Sequence, residues 1–224
     1  QLTRDMQDNY AIDSLGRAIK AAKDGAFENE IQPVKLSLRG EQKTVLTDEQ
    51  PRNAKIDKIP SLKPAFKDGG TVTAANSSSI SDGAAAMVIT KLSIAEQLGV
   101  TPLATIVAHV THAQEPEWFT TAPIGAIKKV LEKTNWDKND VDLYEINEAF
   151  SVVVLAALKE LDLNREKVNI HGGACAIGHP IGASGARIIV TLMNSLEKYS
   201  LKKGVASLCI GGGEATAIAI ETFH

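Results

Sequence analysis

Three short stretches carry side chains that could do chemistry, each next to a break in regular structure. The longest is Gly172-Gly173-Ala174-Cys175-Ala176-Ile177-Gly178-His179-Pro180-Ile181-Gly182-Ala183-Ser184-Gly185. Its glycines argue against a regular helix before Gly182 and let backbone come close to a ligand. Pro180 suits a helix start, which puts His179 just ahead of a helix N-terminus. The positive end of the helix dipole disfavours imidazolium there. A neutral imidazole can take a proton from a thiol at one nitrogen and donate from the other. A capping or core histidine is the competing reading.

The second stretch is Cys209-Ile210-Gly211-Gly212-Gly213. Cys209 lies near a strand end, and the glycines free backbone N–H groups to point into a cavity, as an oxyanion hole requires. A buried core cysteine before a hairpin turn would also explain it. The third is Asn147-Glu148-Ala149-Phe150, where a strand gives way to a helix. Asn147 is a natural N-cap there. It could equally hold a water or a substrate oxygen, because ligands of α/β sheets bind at the carboxyl ends of strands. Two further readings are weak. His171, Cys175 and His179 have four-residue spacing that could ligate zinc on a helix with Cys209, but Gly172, Gly173 and Gly178 oppose that helix. Gly178-x-x-x-Gly182-x-x-Gly185 matches neither nucleotide-binding glycine motif.

These stretches must be held by regular elements. Thr3 can cap a first helix that Gly25 ends, with Tyr10, Ala11, Ile12, Leu15, Ala18 and Ile19 at helical spacing. Residues 31–38 alternate as a strand before a turn at Gly40-Glu41. Residues 48–70 are polar and hold Pro51, Pro60 and Pro64, the pattern of a lid or binding loop. Beyond residue 81 strands and helices alternate. Strands are expected at 84–90, 103–111, 141–146, 168–170, 205–210 and 215–220, and helices at 93–98, 122–133, 148–161 and 182–196. Such alternation indicates an α/β fold with a mixed sheet. The helices at 148–161 and 182–196 are apolar nearly all round, so each should be buried on both sides, against a second sheet from elsewhere or in a dimer interface.

Composition narrows the classes. With 24 Lys+Arg against 27 Asp+Glu the net charge is −3, so there is no basic footprint for nucleic acid. At 224 residues the chain can bury roughly 70% of its unfolded surface, enough for a real core. No apolar run approaches the ~20 residues of a membrane span. Two cysteines make no disulfide framework, and a reducing, cytoplasmic compartment is expected. The start at Gln1 rather than Met suggests that an upstream segment has been removed.

In this order and spacing, Asn-Glu-Ala-Phe at 147–150, Gly-His-Pro-Ile-Gly-Ala-Ser-Gly-Ala-Arg at 178–187 and Cys-Ile-Gly-Gly-Gly at 209–213 resemble the carboxyl-terminal half of thiolases. Asp5-Met6-Gln7-Asp8, Gly70-Thr71-Val72-Thr73-Ala74-Ala75-Asn76 and Asp82-Gly83-Ala84-Ala85 extend the likeness over essentially the whole chain. The resemblance implies an α/β, thiolase-like fold, a layered mixed sheet with helices on both faces, with residues 1–80 ending a loop domain that covers coenzyme A and 81–224 forming the catalytic domain. Among thiolases the sequence is most similar to acetyl-CoA acetyltransferases. These join two acetyl-CoA to acetoacetyl-CoA and CoA, or run the reverse thiolysis.

The family's roles then map residue by residue. His179 resembles the base that activates the nucleophilic thiol. Cys209 resembles the acid/base at the acetyl methyl carbon, Asn147 the residue holding an oxyanion-hole water, and Gly211 the donor of a backbone N–H to the other oxyanion hole. Ser78, Ala74, Phe66, Arg52, Ala149 and Phe150 match positions near the coenzyme A substrate. No metal or resident cofactor is implied. The family's nucleophile lies in a Cys-x-Ser-Gly loop, which this chain lacks, so the amino-terminal half of a thiolase is an implied partner and the chain alone should be inactive. A homo-oligomer, dimer or tetramer, and a place in fatty acid metabolism are implied too. Ser79, Ile80-Ser81 and Cys175 depart from the commoner family residues. Competing readings are a 3-ketoacyl-CoA thiolase of β-oxidation and a non-catalytic acyl-CoA-binding module of the same fold. A ketosynthase ranks below them, since it would need a second glycine-flanked histidine.

Overall fold

The computed structural model describes residues 1–38 and 40–223; Arg39 and His224, the last residue of the expected catalytic domain, lie outside them. Helix α1 (Arg4–Lys23) starts where the sequence places it: the Thr3 hydroxyl accepts the Met6 N–H at 3.2 Å. Asp5 in its first turn and Lys20 and Lys23 in its last suit the helix dipole. A hairpin of β1 (Val34–Leu38) and β2 (Glu41–Val45) follows, turning at Gly40. The proline-rich stretch is less irregular than expected, since it forms the short helix α2 (Glu49–Asn53) and a 3-10 turn, Ile56–Ser61.

The second half is built on one four-stranded sheet, in the order β3-β6-β5-β4. Between α3 (Leu92–Leu98) and helix α4 (Ala122–Thr134) runs β3 (Ala104–Ala113). Strand β4 (Leu143–Ile146) leads to helix α5 (Ser151–Leu161), and the one-turn helix α6 (Ala174–Ile177) precedes α7 (Ser184–Lys198). Strands β5 (Lys203–Ile210) and β6 (Glu214–Thr222) close the chain. β4 and β5 are parallel; β5–β6 and β6–β3 are antiparallel. The sheet is therefore mixed.

Helices cover both faces, as expected of this fold. On one face Ala126, Ile127 and Val130 of α4 and Val153, Val154 and Ala157 of α5 pack with Tyr144, Ile146, Val205 and Cys209. On the other, Ile188, Leu192 and Leu196 of α7 pack with Leu143, Ala206 and Ile220. Strand residues alternate between the two clusters, as the two-residue period requires. Tyr10 brings α1 onto the first cluster, over α5. Across the outer side of α7, the Asn194 amide donates to the Ala26 carbonyl and the Thr191 hydroxyl to Glu30. Within this chain, then, α1 and the 24–31 loop cover part of the surface for which a second sheet was expected.

Four expectations are corrected. Residues 84–90 form neither a strand nor a buried element: Val88 is 96% and Ile89 68% exposed. Their apolar, strand-prone side chains need a neighbouring strand to pair with, and none of the described residues supplies one. Residues 168–170 make only a single bridge, Val168 to Tyr144. The glycines do not exclude helix before Gly182, because α6 fits between Gly173 and Gly178. The helix expected from residue 148 starts at Ser151, with Phe150 at its N-cap position, so Asn147 caps nothing.

Buried His171 offers a check on this packing. Its Nε2 lies 3.1 Å from the Tyr199 hydroxyl and its Nδ1 3.3 Å from Ser195 Oγ. Burial, and then Lys198 and Lys20, pull its pKa down to about 4. Unfolded, the ring titrates near its ordinary value, roughly 6.5. Between these values the unfolded chain binds more protons, so stability falls as pH drops from about 6.5 towards 4. Urea unfolding across that range should show the slope, and His171→Gln should flatten it while lowering stability throughout.

Candidate functional site

Strand β4 delivers Asn147 to the carboxyl end of the sheet. The Asn147 N–H donates to the Ser207 carbonyl at 2.9 Å, extending the parallel ladder one residue past Ile146. Its side chain is buried and points at the histidine loop: Asn147 Nδ2 lies 3.3 Å from His179 Nε2. Asn147 Oδ1 is buried and has no partner among the described residues. An unpaired buried acceptor is costly, and it marks this end of β4 as a place built to meet something besides the chain's own groups.

His179 is fixed from three sides. Its N–H donates to the Ser79 carbonyl at 3.0 Å, beside a bridge to Ile80. Its Nδ1 lies 2.5 Å from Ser184 Oγ on the first turn of α7, and Asn147 faces Nε2. The backbone before it must pass close to the 79–81 segment. Gly178 has φ +90°, and a Cβ there would sit 2.1 Å from Ser81 Oγ. Only glycine fits that combination. Ser79 Oγ donates to Gln50 Oε1 at 2.5 Å, which ties α2 to the same segment. The helix itself begins five residues past His179, at Ser184, rather than immediately after it. The imidazole is held neutral chiefly by burial, which lowers its pKa, with Arg187 adding to the effect.

Cys209 enters from β5. Ser207, whose carbonyl receives the Asn147 N–H, lies two residues before it. Neighbouring strands are about 4.8 Å apart, and with Ile146 paired to Ser207 the register sets Leu208 opposite Asn147, so Cys209 lies roughly one strand spacing sideways and one residue further along. Burial pushes the Cys209 thiol up to about 11, against its own backbone N–H, which lowers it. The resting thiol is therefore protonated at neutral pH, a firmer acid form than an ordinary cysteine would give. Gly211 turns toward solvent in the β5–β6 hairpin. It has no positive φ, and a Cβ there would meet nothing within 4 Å. The fold of this chain gives no reason for glycine at 211, in contrast to Gly213, whose φ is +99°.

Most of the residues expected near coenzyme A form one wall. The Ser78 N–H and hydroxyl both donate to the Ala149 carbonyl, at 3.0 and 3.1 Å. Ser77 bridges to Phe150, and the Phe66 and Phe150 rings meet edge to face at 6.4 Å between centroids. Ala74 is exposed in the turn that Asn76 closes by accepting the Thr73 N–H. Arg52 is exposed on α2, two residues past Gln50, and no hydrogen bond among the described residues joins it to this wall.

Two residues of the quoted motifs carry more than the sequence reading assigned. Ser184 touches His179. Glu148 is fully buried and accepts from the Tyr10 and Ser14 hydroxyls, both at 2.7 Å, the Asn169 amide at 3.0 Å and the Cys175 N–H at 3.1 Å. A glutamate leading into an all-apolar helix was the available signal, since such a group must be buried and paired. For Ser184 the signal was its place at the helix start; for Gln50 there was none. The zinc alternative loses its geometry. His171 turns to Tyr199 and Ser195, Cys175 to the Glu148 carbonyl and His179 to Ser184 and Asn147.

Known proteins share this fold. The family model for the thiolase C-terminal domain matches residues 100–222, and that for the thiolase N-terminal domain matches residues 1–93. A probable acetyl-CoA acetyltransferase of Dictyostelium discoideum is 48% identical over 99% of this chain and 54% of its own length. The acetyl-CoA acetyltransferase of Cupriavidus necator is 46% identical over 98% of this chain and 56% of its own. The crystal structure of the Bacillus anthracis acetyl-CoA acetyltransferase superposes with a TM-score of 0.96 at 43% identity, covering 99% of this chain and 57% of that one. Human mitochondrial 3-ketoacyl-CoA thiolase does so with a TM-score of 0.92 at 36% identity, covering 99% and 56%. The chain thus spans about half the length of the relatives it matches. With both domain models matched and a fold this close to solved acetyl-CoA acetyltransferase and thiolase structures, the chain belongs to the thiolase family.

Proposed function

We propose that this chain supplies the acid–base half of a thiolase active site and works in the Claisen condensation of two acetyl-CoA to acetoacetyl-CoA and CoA, or the reverse thiolysis. The observation that carries this reading is the 3.3 Å approach of Asn147 to His179 at the strand end beside Cys209. His179 Nε2 takes the proton of a thiol nucleophile. Asn147 holds the water of one oxyanion hole, and the Gly211 N–H donates to the other. Such a transition state needs a base at carbon and donors at oxygen. Cys209 exchanges the proton of the acetyl methyl carbon. Its raised pKa suits the cleavage direction, where the leaving carbanion takes the thiol proton.

The chain has two cysteines and neither begins Cys-x-Ser-Gly. The nucleophile in this reading comes from an amino-terminal thiolase half, and the chain alone turns nothing over. The exposed run from Ile80, 95% exposed, through Val88 and Ile89, with Ile181 across the cleft, fits a surface that such a half covers. Ser78, Ala149, Phe150, Phe66 and Ala74 line the acyl-CoA approach, with Arg52 toward its phosphates. Residues 1–80 act as the end of the covering domain and 81–224 as the catalytic one. The substrate is the coenzyme A thioester itself, with no resident cofactor. A cytoplasmic homo-oligomer acting in fatty acid metabolism completes the reading, on the family likeness and, for the compartment, the two unbridged cysteines. The match to human 3-ketoacyl-CoA thiolase favours a second reading, an enzyme for longer 3-ketoacyl chains.

Mixing this chain with an amino-terminal thiolase polypeptide that carries Cys-x-Ser-Gly should generate acetoacetyl-CoA thiolysis, and faster turnover of a long-chain 3-ketoacyl-CoA would select the second reading. Thiolysis by this chain alone would contradict the assignment of roles. His179→Ala should lower the complemented rate by about 10²–10⁴-fold, and Asn147→Ala by about 10²–10³-fold. An unchanged rate in His179→Ala would leave only an acyl-CoA-binding module. Condensation needs the Cys209 thiolate, so its rate should climb by up to about tenfold per pH unit between pH 8 and 10, while thiolysis should not.

A further inference from the structure

We infer that Ser184 is a positioning residue that holds His179 in the Nδ1–H tautomer, leaving the lone pair on Nε2 toward Asn147. The consequence for catalysis rests on the proposed role of His179, but the tautomer is a property of this chain and can be read without any turnover.

Ser184 is 1% exposed. Its Oγ has two neighbours, His179 Nδ1 at 2.5 Å and the Pro180 carbonyl at 3.0 Å. A hydroxyl has one proton to give and lone pairs to receive with. Given to the Pro180 carbonyl, that proton leaves Oγ to accept from Nδ1–H. The ring's other nitrogen then accepts from Asn147 Nδ2 at 3.3 Å. The result is a one-directional chain, Asn147 to His179 to Ser184 to Pro180, in which each link joins one donor to one acceptor. The opposite chain needs Nε2–H to donate to the Asn147 oxygen. Turning the amide to allow this would put its NH₂ where Oδ1 now lies, a buried position with no partner. Both N–H groups would then lack an acceptor, whereas in the present orientation one of them meets His179 Nε2.

The fold supplies the rigidity this requires. The Pro180 carbonyl also accepts the N–H groups of Ala183 at 2.8 Å and Ser184 at 2.9 Å, so Ser184 is held by the turn that starts α7. In this tautomer Nε2 keeps its lone pair, and taking a thiol proton requires only that the contact from Asn147 Nδ2 be released, because Nδ1–H already has its acceptor when the ring becomes charged. In the other tautomer Nε2 already carries a proton and cannot be the base.

The test is a long-range proton–nitrogen correlation spectrum of the ¹⁵N-labelled chain near pH 7.5, with the His179 signals assigned among the five histidines by their loss in His179→Gln. We expect Nε2 unprotonated and Nδ1 protonated. Ser184→Ala should give a mixture of tautomers, and Ser184→Thr, which keeps the hydroxyl, should restore the single form. A protonated Nε2 in the parent chain, or an unchanged tautomer in Ser184→Ala, overturns the inference. If Ser184→Ala does not fold, the parent and Ser184→Thr spectra decide it, a shifted tautomer in either one counting against. With the amino-terminal polypeptide added, Ser184→Ala should lower kcat by about tenfold or more with little change in KM. The expected tautomer without turnover in the parent mixture would refute the proposed function and leave this inference standing.

Discussion

The site depends on one buried carboxyl group. Glu148 follows Asn147 at the end of β4 and draws four donors onto it from three parts of the chain. Tyr10 and Ser14 belong to α1, Asn169 to the loop after α5, and Cys175 to α6. A carboxyl group taken out of water is strongly destabilising unless its oxygens are filled, so these donors are required. Their convergence welds the first helix to the sheet end. It also shapes the loop leading to His179: a Cβ on Gly173 would lie 2.5 Å from the Glu148 carboxyl carbon, so glycine is the only residue that lets that loop pass.

The same knot repairs the sheet edge. β4 has β5 on one side only. On its other side the Asn169 side chain takes the place of a strand, accepting the Ile146 N–H and donating to the Ile146 carbonyl, both at 2.8 Å. Asn169 sits in the left-handed region, φ 46°, which asparagine tolerates better than most residues. Its amide also donates to Glu148. An edge that would otherwise fray is fixed at the residue before Asn147. Precision at a polar site comes from such supporting bonds more than from the functional groups themselves.

The sequence displayed the longer helices, the strands β4 and β5 and the closing strand pair clearly, because their apolar periodicity and glycine boundaries are local signals. His179, Cys209 and Asn147 were singled out because each stood at a break in regular structure. The supporting contacts were not. Tyr10 and Glu148 are 138 residues apart in sequence, and no local pattern encodes that bond. The strand expected at 84–90 fails for the complementary reason. Its residues have the composition of a buried strand, but composition states a preference that only a partner can satisfy. Asn147 was ambiguous between cap and site until the helix start at Ser151 removed the cap.

Charge around His179 is arranged by the opposite face of β4. Glu145 points from that strand toward α7, where its carboxylate lies 3.7 Å from Arg187. Burial drives Glu145 up to about 8, and Arg187 pulls it back. Burial likewise raises Glu30 and Asp48, and Arg187 moderates both. The same guanidinium acts on the imidazole, where it disfavours a second positive charge and adds to the effect of burial. A base in a half-buried site must be neutral before it can accept a proton. In the proposed reading His179 is that base: burial sets the condition first, and Arg187, one turn into α7, adds to it on the same helix whose first serine meets Nδ1. Helix α7 therefore contributes to both the orientation and the protonation state of His179, so a distortion of α7 would disturb both together.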